Sequence, residues 1–384
     1  MNYRGCAALL LFCVGVAGAE EQIQVGRSSH IRSEVLQEDR TVRIALPRSY
    51  DWALDRRYPV LYVLDAEVDF LHSASSARFL ADAGEIPEMI VVGIDSTVRI
   101  RDFTQTDWAE VWVGGGGAAR FKAFLAQELL PKIEAGYRTN GFRVLSGHSA
   151  GGQFALYCLT SDPSLFQAHF ALSPSLDWDH NLPQRSLEEA LASTATLKSF
   201  LYFAYSDDFG QALAEDQRLI HTLQIAAPRA FRWIGRAFPE ESHGSLSLVA
   251  EIDALRCLFS GYRAPKDRPG SSIEQVEEHY RVLSKVVGYP IAVPEEAVNE
   301  LGYAALSDGR TAEAIALFRR NVESSPSSAN AWDSLADGYA KAGRPEEAVK
   351  ASDRAVELAT KLDHPERDPI VEHNKKLRAG TRAP

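Results

Sequence analysis

The sequence predicts a doubly wound α/β domain with a mostly parallel sheet, followed by a small all-α region. Three observations carry that expectation. Short, fully apolar runs, suited to strands buried on both faces, recur between stretches of helical periodicity. One of these runs leads into Gly147-His148-Ser149-Ala150-Gly151, the residue pattern of a tight strand-to-helix turn. From Pro294 onward the strand-like runs stop and a segment repeats itself after thirty-four positions.

In chain order, Arg4 precedes an apolar run from Cys6 to Val16, then Ala17-Gly18-Ala19 and the acidic pair Glu20-Glu21. This reads as a secretory signal cleaved after Ala19, its apolar run too short to span a membrane. It predicts a periplasmic or secreted protein whose mature chain has no membrane span. Cleavage removes Cys6 and Cys13; Cys158 and Cys257, on predicted helices, read as free core thiols. Alternation from Glu21 to Pro47 predicts an antiparallel entry hairpin at a sheet edge. Strands follow at Tyr58–Asp65 and Met89–Ile94, with helical content at Leu71–Ala83 between them. Phe121, Phe124, Leu125, Leu129 and Leu130 predict a helix across Ala118–Tyr137. After the Ser149 turn, helix through Leu159, come strands at His169–Leu172, Phe200–Ala204 and Phe231–Trp233, the interval that βαβ units need.

The repeating segment pairs Leu301-Gly302-Tyr303, Gly309-Arg310 and Ala314-Ile315 with Leu335-Ala336-Asp337, Gly343-Arg344 and Ala348-Val349. Small residues at helix crossings and Gly-Arg at the turn resemble tetratricopeptide repeats. Two such units are too few to stand alone, which predicts packing against the α/β domain or a protein partner. The expected organisation is signal peptide 1–19, α/β domain 20–265, linker 266–293, repeats 294–362 and a solvated polar tail 363–384. A net charge of −11 without an offsetting basic stripe argues against a nucleic-acid surface. No metal-ligand spacing occurs, and neither a metal nor an organic cofactor is implied.

Glycines on either side of Ser149 allow a turn that presents its hydroxyl as a nucleophile above a helix N-terminus. An oxyanion hole then needs the N–H of Ala150 and one from the loop after the first parallel strand, assigned to Glu67. The base belongs after the last strand, where Phe238-Pro239-Glu240-Glu241-Ser242-His243-Gly244-Ser245 offers His243. His148, beside the serine, reads as a packing residue, and His221 sits mid-helix. For the acid that orients His243, either Asp207 or Asp208 follows the preceding strand, with Glu240 or Glu241 as further carboxylates. Arg99 and Arg101 suit either an anionic substrate or a network with Asp102. Trp108, Trp112 and Trp178 suit either an aromatic acyl pocket or core packing.

Taken together, Tyr62-Val63-Leu64-Asp65, Val92-Gly93-Ile94-Asp95, Arg99-Ile100-Arg101-Asp102-Phe103-Thr104, Gly147-His148-Ser149-Ala150-Gly151-Gly152, Leu172-Ser173-Pro174-Ser175-Leu176 and Glu241-Ser242-His243-Gly244-Ser245 resemble the esterase family of α/β hydrolases. That family includes the esterase D group, bacterial siderophore esterases and the mycolyltransferase antigens. The resemblance covers about residues 25–262, is nearest the siderophore-esterase branch, and extends to bacterial members with C-terminal tetratricopeptide regions. Departures are Ala66, where the family commonly has glycine, Gln105, where it often has proline, and Asp177, where it often has an aromatic. The resemblance implies an exported serine esterase acting on a small-molecule ester, of siderophore or aryl type, through an acyl-enzyme on Ser149. It also implies that the orienting acid is dispensable in some members. Acyl transfer to an alcohol, or a non-catalytic scaffold binding a protein through its repeats, are the alternatives. Activity is expected to rise through a pKa near ~6.5, the unperturbed histidine value.

Overall fold

The computed structural model describes residues 23–380 apart from 109, 111–113, 194–196, 207–209 and 264–271. The expected signal peptide therefore lies outside the described residues, as do Trp112 and both candidate acids, Asp207 and Asp208.

The chain runs β1 (Arg27–Ser33), β2 (Glu38–Ala45), β3 (Tyr58–Leu64), α1 (Ala66–Asp82), β4 (Ile90–Ile94), α2 (Arg99–Phe103), α3 (Ala118–Phe124), α4 (Leu130–Gly136), β5 (Thr139–His148), α5 (Ala150–Ser161), β6 (Ala168–Leu172), α6 (Trp178–Ser193), β7 (Phe200–Tyr205), α7 (Gly210–Ala226), β8 (Arg232–Ala237) and α8 (Leu246–Leu258). The strands form one sheet in the order β1-β2-β4-β3-β5-β6-β7-β8. The β1–β2 and β2–β4 pairs are antiparallel and all others parallel. This is the predicted doubly wound sheet with an antiparallel hairpin at its edge.

Side chains of β3 show why its sequence is apolar throughout. Leu61 and Val63 pack with α1 and α8 on one face, whereas Val60, Tyr62 and Leu64 pack with α3, α4 and α5 on the other. Neither face meets water, so no polar alternation remains. Between α3 and α4 the helix widens into a π turn at Leu125–Leu129. Pro131, which has no N–H to donate, sits in the first turn of α4, just after that widening.

Two stretches differ from expectation. Within 266–293, read as a linker, lies α9 (Ile273–Val287), whose Val276, Tyr280, Leu283 and Val287 are buried in the same core as α1 and α8. Its apolar residues recur at helical spacing on one face, and Tyr289 beyond it lies 4.4 Å, ring to ring, from Phe142 of β5. The polar tail is also corrected. After α10 (Glu295–Ser307), α11 (Thr311–Ser324), α12 (Ala329–Lys341) and α13 (Pro345–Lys361), residues Arg367–Gly380 form α14. Ile370 and Asn374, four apart, are buried against the preceding helices, and His373 bonds Asp333 at 2.7 Å. A sparse apolar stripe on a polar helix escapes a reading based on mean polarity.

In α10 and α12, Gly302 and Gly338 admit the ring of Phe318 from α11; a Cβ on Gly302 would lie 2.3 Å from it. The helices rest on the α/β body through Trp52 against His364 at 5.3 Å and the Ser327 N–H donated to Asp55 at 3.0 Å. Arg56 adds ion pairs to Glu88 and Glu296. Among the described residues no helix is long and apolar enough to cross a membrane.

Candidate active site

Ser149 sits between the end of β5 and the start of α5 with φ 58° and ψ −118°. A non-glycine residue there costs about 1–3 kcal/mol, and the surrounding contacts hold it in place. Its N–H donates to the Leu172 carbonyl at 2.9 Å, and its own carbonyl accepts from Gln153 at 3.0 Å and Ser175 at 3.2 Å. Gly147 is required by closeness, since a Cβ there would lie 2.3 Å from the Gly151 carbonyl oxygen, and Gly152 is tightly placed, where a Cβ would lie 3.1 Å from the carbonyl oxygens of Gly147 and Leu172.

Ala150 is the first residue of α5 and Glu67 the second of α1, so neither N–H has an intrahelical acceptor. The two helix starts adjoin, since a Cβ on Gly151 would stand 3.4 Å from Asp65 Oδ2. Asp65 turns the chain into α1 at φ 51°. Arg99 grips that turn, with Nε 3.0 Å from both Asp65 carboxylate oxygens and Nη2 donating to the His148 carbonyl at 2.9 Å. Burial pushes the Asp65 carboxyl up from its ordinary range, against the pull of Arg99. Ala66, one of the departures, fits because Gly93 faces it without a side chain; a Cβ there would lie 2.6 Å from the Ala66 Cβ.

His243 lies half-buried on the loop between β8 and α8. His148 Nε2 donates to the His243 carbonyl at 2.7 Å, and the two rings are 4.6 Å apart. Burial, then the neighbouring His243, lowers the His148 pKa to about 4, so it stays neutral near pH 7. His148 packs, as its place beside the serine suggests, and it also ties the His243 loop to the turn. His243 Nδ1 lies 3.0 Å from Ser173 Oγ, and Ser149 Oγ lies 3.5 Å from Ser175 Oγ. Neither serine carries a signature from which these contacts could be read. Glu241 accepts from Ser245 Oγ at 2.7 Å, and Glu240 is exposed. His221 is exposed on α7.

Arg101 bonds Asp102 at 2.7 Å and Glu38 at 2.6 Å, the network alternative, while Arg99 is engaged with Asp65 as above. Trp178 is buried, with its Nε1 donating to Thr106 Oγ1 at 3.1 Å and Trp108 edge-on at 5.6 Å. Asp177 is exposed, and Gln105 Nε2 reaches Ser186 at 3.4 Å. Cys158 and Cys257 are free. Two concavities of about 450 and 770 Å³ lie along α9, and neither is lined by Ser149 or His243.

Residues 33–217 match the family described as "Putative esterase". A solved structure of an IroE-like serine hydrolase from Shewanella oneidensis superposes with a TM-score of 0.70 at 31% identity, over 78% of this chain and 99% of that one. The chain belongs to this esterase family. Ferri-bacillibactin esterase BesA of Bacillus subtilis is 34% identical over 163 residues, 37% of this chain. The chain spans little more than half, 56%, of that curated relative's length. An uncharacterised protein from Capnocytophaga ochracea shares the fold over 92% of this chain and 99% of its own, with a TM-score of 0.62 at 22% identity.

Proposed function

We propose that this family member is an exported serine esterase that hydrolyses carboxylic esters through an acyl-enzyme on Ser149. The observation that carries the reading is Ser149 held at positive φ on a helix N-terminus, with the His243 loop hydrogen-bonded to the residue before it. Ser149 Oγ attacks the ester carbonyl carbon as its proton passes to His243 Nε2. The carbonyl oxygen becomes negative and is received by the N–H groups of Ala150 and Glu67. His243 returns the proton to the departing alkoxide, and the alcohol leaves. Water then attacks the acyl-enzyme with His243 again as base, releasing the acid and restoring Ser149. Asp207 or Asp208 is proposed to support the imidazole. No metal or cofactor enters the scheme.

The Bacillus relative, a ferri-bacillibactin esterase by its name, supports the siderophore-type ester that the sequence resemblance implies as substrate. Trp108 and Trp178, which begins three residues beyond Ser175, form an aromatic pair suited to an aryl acyl group. Residues 1–19 are proposed as a leader removed after Ala19, which directs the enzyme to the periplasm or the medium. The helices from α10 to α13 are read as tetratricopeptide-like units available to a protein partner; Tyr303 donates to Asp337, thirty-four positions on, at 2.8 Å.

The test is a fluorophosphonate probe on mature wild type and Ser149→Ala, read by intact mass, with p-nitrophenyl esters and a siderophore trilactone as substrates and an alcohol competing with water. One adduct on wild type alone, with acid released from the trilactone, is the expected result. Acyl transfer to the alcohol as the main product would reassign the enzyme as a transferase. Failure of both folded proteins to label or turn over ester would leave the repeats as the working part.

A further inference from the structure

Ser173-Pro174-Ser175 leaves the end of β6 and meets His243 through Ser173 and Ser149 through Ser175. Its backbone is tied on both sides: Ser173 N–H donates to the Ala204 carbonyl at 2.7 Å, and Ser175 N–H donates to the Ser149 carbonyl at 3.2 Å. Ser173 is held at φ 43°, a left-handed conformation that a serine adopts only where neighbours impose it. Its Oγ lies 3.0 Å from His243 Nδ1.

We propose that Ser173 is a positioning residue for His243, its hydroxyl oxygen accepting a hydrogen bond from Nδ1–H and so keeping Nε2 the unprotonated nitrogen that takes the Ser149 proton. The proposal rests on the reading of Ser149 as nucleophile and His243 as base. A serine hydroxyl can donate or accept, and the two choices have opposite consequences. If Ser173 donated to Nδ1, the imidazole proton would sit on Nε2 and the ring could not receive the proton of Ser149. If Ser173 accepts, Nδ1 carries the proton in both the neutral ring and the imidazolium, and only Nε2 changes during turnover. His148 contributes from the other side by holding the His243 carbonyl at 2.7 Å, which limits how far the loop carries the ring from Ser173. The contact does not require Ser173 to be the sole acceptor; a carboxylate sharing the same N–H would act in the same direction. Because the hydroxyl is uncharged, its effect is chiefly on the tautomer and orientation of the ring.

The experiment compares full-length Ser173→Ala, Ser173→Gly and Ser173→Asn with wild type, by pH profiles of kcat and KM and by the ¹⁵N shifts of the His243 ring. Asparagine tolerates the left-handed conformation and restores an acceptor oxygen. Ser173→Ala is expected to lower kcat about tenfold, short of the roughly 10²–10⁴-fold that the general acid–base itself contributes, because the base remains in place, with KM within about twofold. The acid limb should move to lower pH, because the imidazolium loses an acceptor, and the Nε2–H tautomer should become more populated. Ser173→Gly should behave like alanine even though it relieves the backbone, and Ser173→Asn should recover most of the rate. A folded Ser173→Ala enzyme with wild-type kcat, pH profile and tautomer overturns the proposal, as does equal impairment of the alanine and asparagine variants. His243→Ala separates the two readings. If it keeps turnover and probe labelling, the assignment of the base fails and this proposal falls with it; if it is inactive while Ser173→Ala is unchanged, only the role of Ser173 fails.

Discussion

Gly147 tolerates no side chain, since a Cβ would stand 2.3 Å from the Gly151 carbonyl oxygen, a backbone atom that cannot step aside without opening the turn. Gly147→Ala is therefore expected to leave the sheet formed but to displace Ser149, lowering kcat/KM by about 100-fold, the scale of a 1 Å misplacement. Steady-state ester turnover beside a far-ultraviolet circular dichroism spectrum checks it; full activity in the alanine variant would mean the turn relaxes freely. The need for glycine here was legible, because Gly-x-Ser-x-Gly states a local steric demand. The roles of Ser173 and His148 were not. Each acts on His243, seventy and ninety-five positions away, and no local pattern encodes such a contact. Arg99 is a similar case: the sequence offered it to a substrate or to Asp102, and folding brought Asp65 and the His148 carbonyl to it instead.

At the scale of elements, α9 belongs energetically to the α/β body. Val276, Tyr280, Leu283, Val287 and Ile291 are buried in the core that also holds α1 and α8. Burying five such side chains contributes on the order of 10 kcal/mol, comparable to the whole net stability of a typical domain, about 5–15 kcal/mol. A chain ended at residue 265 should accordingly be insoluble or melt far below wild type, whereas one ended at 293 should keep a cooperative transition and ester turnover. Soluble yield and thermal melting of the two truncations decide it; equal behaviour would make α9 a passive connector. The strands were read correctly because each is short and its periodicity local. α9 and α14 were missed because each buries only one narrow stripe, which gains meaning only once a partner surface exists.

Across the whole molecule, buried ionisable groups set how stability responds to acid. His169 is fully buried in β6, its Nδ1 2.9 Å from Ser199 Oγ, and burial lowers its pKa to about 3. An unfolded histidine binds its proton near pH ~6.5. The native state refuses that proton, so stability from this residue is intact above about 6.5 and lost as pH falls toward 3. Between pH 7 and 5 the loss amounts to about 2 kcal/mol. Asp216 acts in the opposite sense, because burial raises its carboxyl to about 7 and the native state takes up a proton the unfolded chain does not yet hold. The measure is therefore a difference: His169→Gln should lose about 2 kcal/mol less than wild type between pH 7 and 5, by urea unfolding at both pH values. Parallel losses would mean His169 is protonated in the folded protein.

The sequence by itself determined the order of the strands and their alternation with helices in the α/β domain, the Ser149 turn and the region of the chain that supplies His243. All of these follow from short-range periodicity, local steric demands and chain order. Only the tertiary structure decided that Ser173 meets the His243 ring, that His148 holds its loop, that Arg99 clamps the turn at Asp65 and that α9 closes the core. Those contacts depend on strand register and on where loops from distant strands come to rest. These are set by the packing of the whole sheet, with no trace in the residues on either side.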